Sequence, residues 1–96
     1  MPKGYIIGHV TLTDPDAYAP YAALNNDLVP RHGGRFLARG GTSDILEGDA
    51  HARHVVIEFP SYADALAFYN DPDYRENMKT RQAASEGTII VVEGAE

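Results

Sequence analysis

Tyr5-Ile6-Ile7-Gly8-His9-Val10-Thr11-Leu12-Thr13-Asp14-Pro15 is the stretch from which the fold can be read. Its first eight residues are mostly β-branched or aromatic, which suits a strand. Thr13-Asp14-Pro15 ends that strand and opens a helix. Asp14 can cap the first free amides, and Pro15 fits the first helical position, where its missing N–H costs nothing. Strand alternation places Tyr5, Ile7, His9 and Thr11 on one face and Ile6, Gly8, Val10 and Leu12 on the other.

The helix runs on toward His32. Tyr18, Tyr21, Ala22, Leu24 or Asn25, and Leu28 recur at three-to-four spacing, and Gly33-Gly34 supplies a left-handed stop. Pro20 lies inside this pattern and predicts a kink or an irregular first turn, while Pro30 disturbs the last one. Arg35 to Arg39 reads as a second strand, after which Gly40-Gly41 allows a bulge or sharp bend before Thr42 to Glu47. Gly48 to His51 is a turn, and Arg53 to Phe59 forms a third strand that makes an antiparallel hairpin with the second. Ser61 followed by Asp64 resembles a capping box and opens a second helix through Leu66, Phe68 and Tyr69. Asn70-Asp71-Pro72 interrupts that helix. Asp71 and Pro72 can start a further segment past Tyr74, Met78 and Arg81 toward Ser85, with Gly87 as its stop. Thr88 to Glu93 is the last strand.

The order is β-α-β-β-α-β with a broken second helix, which predicts an α+β ferredoxin-like sandwich with a four-stranded antiparallel sheet, one domain over residues 1–96. Its helices cover one face of the sheet, yet Ile6-Ile7, Val55-Val56-Ile57 and Ile89 to Val92 place apolar side chains on both. The economical cover for the second face is another copy of the chain, in a two-fold homodimer packed sheet against sheet.

Composition narrows the function classes. Ninety-six residues, 44% of them hydrophobic, are ordinary for a globular domain. Eight Lys and Arg against 14 Asp and Glu give a net charge of -6, which disfavours nucleic acid and anionic membranes as partners. Without cysteine there is no disulfide framework, thiolate nucleophile or Cys-based metal site. Neither a signal-peptide core nor an apolar run of membrane-spanning length is visible, so the expectation is a soluble cytoplasmic protein without a membrane partner.

Lys3-Gly4-Tyr5, Gly34 to Gly41, Leu46-Glu47-Gly48, Val55 to Ser61 and Tyr69-Asn70-Asp71-Pro72-Asp73-Tyr74 occur in an order that resembles the domain of unknown function 1330 family. Arg81-Gln82 and Ile90-Val91-Val92-Glu93-Gly94 extend the resemblance over nearly the whole chain. It implies a dimeric α+β barrel, the assembly shared with antibiotic-biosynthesis monooxygenases and with muconolactone isomerase-like and chlorite dismutase-like proteins. The chain departs from the family's usual pattern at Pro20, and its His9 stands where other polar residues also occur.

The candidate catalytic residues are His9 and Glu58. His9 breaks an apolar stretch and can titrate near neutrality, although a histidine satisfied by a partner near a dimer seam is the simpler account of it. Glu58, between apolar neighbours, requires a cationic or hydrogen-bonding partner, and Arg39 or Arg53 is within reach if the second and third strands pair. Arg39, Arg81 and Tyr74 are the candidate ligand-binding residues: two guanidiniums able to grip a carboxylate bidentately, and an aromatic wall at a pocket mouth. Their bland readings are a sheet-locking salt bridge, a helix-end charge tied to an acidic neighbour, and core packing. His51 and His54 enter a strand, where their offset points them to opposite faces and away from a shared metal. The glycine pairs do not form a phosphate-binding pattern, and no nucleophile elbow is present. No motif calls for a metal or organic cofactor. Two functions follow: a homodimer binding a small organic molecule, with cofactor-independent monooxygenase- or isomerase-like chemistry by analogy of fold, or a non-enzymatic ligand-binding or regulatory module whose polar residues are structural.

Overall fold

A computed structural model describes residues 1–96. The elements are β1 (Gly4–Leu12), α1 (Pro15–Arg31), β2 (Arg35–Arg39), β3 (Arg53–Phe59), α2 (Tyr62–Asn70), α3 (Pro72–Ala84) and β4 (Ser85–Glu93). They build a ferredoxin-like fold with a single antiparallel sheet in the order β2-β3-β1-β4. β1 is central and pairs with β3 on one side, Ile6 opposite Ile57, and with β4 on the other, Ile6 opposite Val91. All three helices lie on one face, which gives two layers and a slab only 17 Å through its thinnest dimension.

Alternation decides what each layer contains. Ile6 and Val10 are buried toward the helices together with Ile57 and Phe59 of β3. α1 offers Tyr18, Tyr21, Asn25, Leu28 and Val29 to this core, while α2 offers Ala65 and Phe68 and α3 offers Tyr74, Met78 and Ala84. Phe59 and Phe68 stack at 5.2 Å between ring centres; truncating either to alanine is expected to cost about 3–5 kcal/mol.

The capping chemistry places the helices. Asp14 Oδ1 accepts from the Ala17 amide at 3.1 Å, Ser61 Oγ accepts from the Asp64 amide at 3.1 Å, and Asp71 Oδ1 accepts from the Asp73 amide at 2.8 Å. α1 runs as one helix through Pro20 and Pro30. Both prolines are exposed, so the carbonyls they leave without an amide partner face the solvent side of the helix, where water can take them.

Three expectations need correction. Gly87 does not stop α3. The helix ends at Ala84, whose carbonyl accepts the Thr13 and Asp14 amides at 2.9 and 3.1 Å, and Ser85 Oγ donates to the Arg81 carbonyl at 2.6 Å. These bonds satisfy the helix end without a glycine, and β4 begins at Ser85. Gly87 instead lies in that strand against β1, where a Cβ would strike the His9 carbonyl and Val10. The bulge of β2 falls between Phe36 and Ala38, not at the glycine pair, and residues 40–52 contain no strand. His51 accordingly precedes β3: it contacts Thr11 Oγ1 at 2.7 Å while His54 contacts His9, both through Nδ1 and both on the face away from the helices.

The end of α1 is clasped to the α2–α3 junction. Asp71 Oδ2 stands 2.7 Å from His32 Nε2 and 3.4 Å from Arg31 Nη1, and Asp73 accepts from the same arginine at 2.6 Å. The His32 bond, followed by the Asp73 amide, holds the Asp71 carboxyl below its ordinary value. A carboxyl lowered on folding stabilises above its unfolded pKa, roughly 4, and that contribution is lost as the pH falls through the lower folded value. Asp71→Asn is therefore expected to reduce the melting temperature at pH 7 and to flatten its decline between about pH 5 and pH 2. A thermal denaturation series checks this; parallel acid limbs for the two proteins would refute it.

Candidate functional site

Between the sheet and the helices is a cavity open to solvent. Water-sized molecules can centre themselves within ≈ 40 Å³ of it, and the empty space between its atoms, mouth included, is ≈ 510 Å³. Its floor is the helix-facing side of the sheet, with Ile6, Gly8, Val55 and Ile57, and its roof includes Tyr18, Tyr21 and Tyr74. Three of the six arginines line it: Arg39, Arg53 and Arg81. No aspartate, glutamate or histidine does.

Each arginine arrives by a different local route. Arg39 owes its position to the β2 bulge. Arg35 pairs with Glu58 and Phe36 with Ile57, but Ala38 then pairs with Val56 and Arg39 with Val55. Without the extra residue Arg39 would share the face of Arg35. With it, Arg39 turns under α1, stacks over Phe36 at 3.9 Å, and donates to the Ala22 carbonyl and Asn26 Oδ1, both at 2.6 Å. Arg53 begins the apolar face of β3 that continues in Val55 and Ile57. Its guanidinium lies 5.6 Å from the Tyr18 ring centre. Gly40, at φ 68°, stands against it, and a Cβ there would collide with Nη1. Arg81 comes from the inward face of α3, is 7% exposed, and lies 6.0 Å from the Tyr21 ring centre.

The hydroxyls complete the wall. Tyr21 and Tyr74 are hydrogen-bonded through their oxygens at 2.8 Å. Burial raises the pKa of Tyr18, Tyr21 and Tyr74, and that of Tyr21 is raised furthest, with further help from Tyr74; Arg81 pulls all three the other way. The phenols are thus neutral donors and acceptors at ordinary pH. Asn77, buried beneath, donates to the Tyr21 carbonyl and to Asn25 Oδ1, both at 3.2 Å, which joins α3 to α1.

Of the sequence candidates, Arg39, Arg81 and Tyr74 meet in this cavity. Tyr74 is 2% exposed and forms an inner wall, not the mouth expected of it. Arg81 has no acidic neighbour: neither it nor Arg39 nor Arg53 takes part in an ion pair. His9 and Glu58 are on the opposite face of the sheet. His9 Nδ1 lies 2.7 Å from His54 Nδ1, and Glu58 accepts from Arg35 Nε at 3.0 Å and from the Tyr5 hydroxyl at 3.2 Å. The partner of Glu58 is therefore Arg35, and neither Arg39 nor Arg53, again because the bulge moves Arg39 to the other face. The Arg35 bond holds the Glu58 carboxyl below its usual range. No group of three His, Asp or Glu side chains is placed to hold a metal.

Arg53 is the cavity residue that the sequence reading missed, and Tyr18 and Tyr21, whose aromatic surface and hydroxyl tips suit a pocket but which core packing also explains, line it as well. The signal for Arg53 was present, since a charged residue in phase with Val55, Ile57 and Phe59 belongs to the buried face.

A profile of the family described as Domain of unknown function (DUF1330) matches residues 3–95. The chain belongs to the DUF1330 family. A search of curated proteins finds no match to it. Among solved structures it is similar to a protein of unknown function from Rhodopseudomonas palustris, with 28% identity, a TM-score of 0.79, and coverage of 99% of this chain and 84% of that one. SnoaB, a cofactor-independent oxygenase from Streptomyces nogalater, superposes with a TM-score of 0.67 at 10% identity over 100% of this chain and 96% of that one. A dimeric ferredoxin-like protein of unknown function from Thermobifida fusca does so with a TM-score of 0.61 at 15% identity, over 99% and 92%. At these last two identities the likeness is one of fold. No helix of this DUF1330 protein is long and apolar enough to cross a membrane.

Because the cavity tyrosines are buried as neutral phenols, their ionisation is coupled to unfolding. A phenol whose pKa is raised on folding stabilises below its ordinary value near 10, and the contribution is lost as the pH rises beyond it. Absorbance at 295 nm is expected to show a late phenolate step coincident with alkaline unfolding, with smaller amplitude in Tyr21→Phe. A fully reversible Tyr21 titration in folded protein would contradict this assignment.

Proposed function

We propose that this DUF1330 protein is a homodimer in which each subunit binds a small organic molecule in the cavity between sheet and helices. One observation carries the reading: a solvent-connected space walled by aromatic rings and three arginines, with no acidic side chain to neutralise them. Arg81 and Arg53 are the binding groups, Tyr74, Tyr21 and Tyr18 shape and orient, and Arg39 clamps β2 to α1. His9 and Glu58 stand on the opposite face of the sheet and do not line the cavity.

The same lining limits the chemistry. A general base near neutrality is normally an imidazole or a tuned carboxylate, and the cavity has neither. What it does have is fixed positive charge in a poorly hydrated setting, which favours the anionic form of a bound molecule. The enzymatic reading is thus a reaction of a ligand acidic enough to give its proton to solvent water, which the protein binds and stabilises as the resulting anion. Oxidative chemistry of that kind is suggested by the fold shared with SnoaB. The alternative, a ligand-binding module without turnover, is favoured by the same absence of a base.

For the cavity, a thermal-shift panel of phenols, quinones, lactones and carboxylates is the test. A ligand at about a hundred times its Kd adds about 2.7 kcal/mol, or ~10–20 °C for a chain of this length. Gly8 lies in the floor, where a Cβ would meet only Ile89 Cδ1 at 3.1 Å, so Gly8→Val should fill the site and abolish the shift while the protein stays folded. No shift from any compound, or one undiminished in Gly8→Val, argues against this site.

For the dimer, the face away from the helices exposes Ile90 by 46% and Val92 by 43% beside the partly buried Ile7 and Val56. Light scattering is expected to give about 21 kDa, twice the 10.5 kDa of the chain, and Ile90→Asp should halve it by burying a charge in the interface. A monomeric native protein would refute the assembly.

A further inference from the structure

We propose that the cavity selects a planar organic monoanion whose charge is spread over oxygen, an aryl carboxylate or a phenolate, gripped by the guanidinium groups of Arg53 and Arg81, which line it. This rests on the cavity being the ligand site and adds the charge and shape of what enters it. The two Nε atoms are fully shielded from solvent and have no hydrogen-bond partner. A buried guanidinium edge with nothing to donate to loses both its hydration and its hydrogen bond, and an ionised group in that position is among the most costly things a core can contain. Proteins retain such groups where something else supplies the acceptor.

The alternatives within the chain are exhausted. Arg31 and Arg35 are paired with Asp71, Asp73 and Glu58 outside the cavity, and Arg75 stacks on Tyr69. Arg39 spends its two Nη groups on α1. Arg53 and Arg81 remain, the first 5.6 Å from the Tyr18 ring centre and the second 6.0 Å from that of Tyr21. The chain carries a net charge of -6, yet it concentrates three of its eight cations around one cavity with no counter-charge. Guanidinium Nε–H and Nη–H together form the fork that matches two oxygens on one plane, and the flanking rings of Tyr18, Tyr21, Phe36 and Phe68 favour a flat body behind those oxygens.

The test compares ligands of one shape and different charge by isothermal titration: benzoate against benzamide, and 4-nitrophenolate against 4-nitroaniline. The expected result is a preference of roughly 10- to 100-fold for the anion of at least one pair, as for hydrogen bonds to charged groups. Whichever pair shows it distinguishes carboxylate from phenolate. Arg81→Met and, independently, Arg53→Met should each remove most of that preference, Arg81→Lys should retain part of it, and Arg75→Met, outside the cavity, should retain all of it. A second readout separates binding from structure: without ligand, Arg81→Met should melt no lower than the native protein, because it deletes an uncompensated buried charge. Equal binding of anion and neutral isostere, a preference that survives both methionine variants, or unfolding of both would overturn the proposal. In the first of these cases the ligand site itself stands; binding of no compound at all would overturn both.

Discussion

Everything in this molecule depends on β1 being held between two antiparallel ladders. A strand with neighbours on both sides cannot slip by one residue without reversing both its faces, so the register Ile6 to Ile57 and Ile6 to Val91 fixes what lies above and below the sheet. Ile6, Gly8 and Val10 become the floor of a cavity. Tyr5, Ile7, His9 and Thr11 become an outer surface. The two sets of polar residues, Arg39, Arg53 and Arg81 with three tyrosines on one side and the histidines with Glu58, Arg35 and Tyr5 on the other, are kept apart by a single layer of backbone and never form one constellation.

The two faces solve their electrostatics in different ways. On the outer face the polar groups near the centre of the sheet are partnered: Glu58 has Arg35 and Tyr5, His9 has His54, and Thr11 has His51. On the inner face the positive groups are gathered with phenols and rings only. Paired groups of the first kind stabilise modestly or not at all when exposed, whereas unpaired guanidiniums in a core are destabilising by themselves. The inner face therefore holds positive charge at a cost to stability, and the outer face leaves Ile90 and Val92 exposed beside its paired groups.

Much of this was legible in the residues. The Asp14-Pro15, Ser61 to Asp64 and Asp71-Pro72 signatures act through local hydrogen bonds, and each helix begins where they say. The alternation of β1 and β3 was equally local. What escaped was set by contacts between distant segments. The bulge at Phe36 to Ala38 has no glycine to announce it, and it alone moves Arg39 from the face of Glu58 to the cavity. Gly87 looks like a helix stop when only its neighbours are considered, but it is a glycine because β1 passes too close for a side chain. Pro20 is tolerated because it faces outward, which depends on where the core lies and not on the helix itself. Among the site residues, Arg81 and Tyr74 could be named from the sequence as binding groups, yet the absence of any acid beside Arg81 became visible only when α3 was folded onto the sheet.

The pairing of the first strand with the last has a kinetic meaning. β1 and β4 are separated by more than seventy residues of chain, and contacts of such separation form only after a large loop-closure entropy has been overcome. Until β4 arrives, one edge of β1 stays open to other strands, and the cavity lacks the wall that Ile89 contributes. The cavity is thus closed only once the first and last strands have paired, so its shape depends on the contact of longest range in the chain.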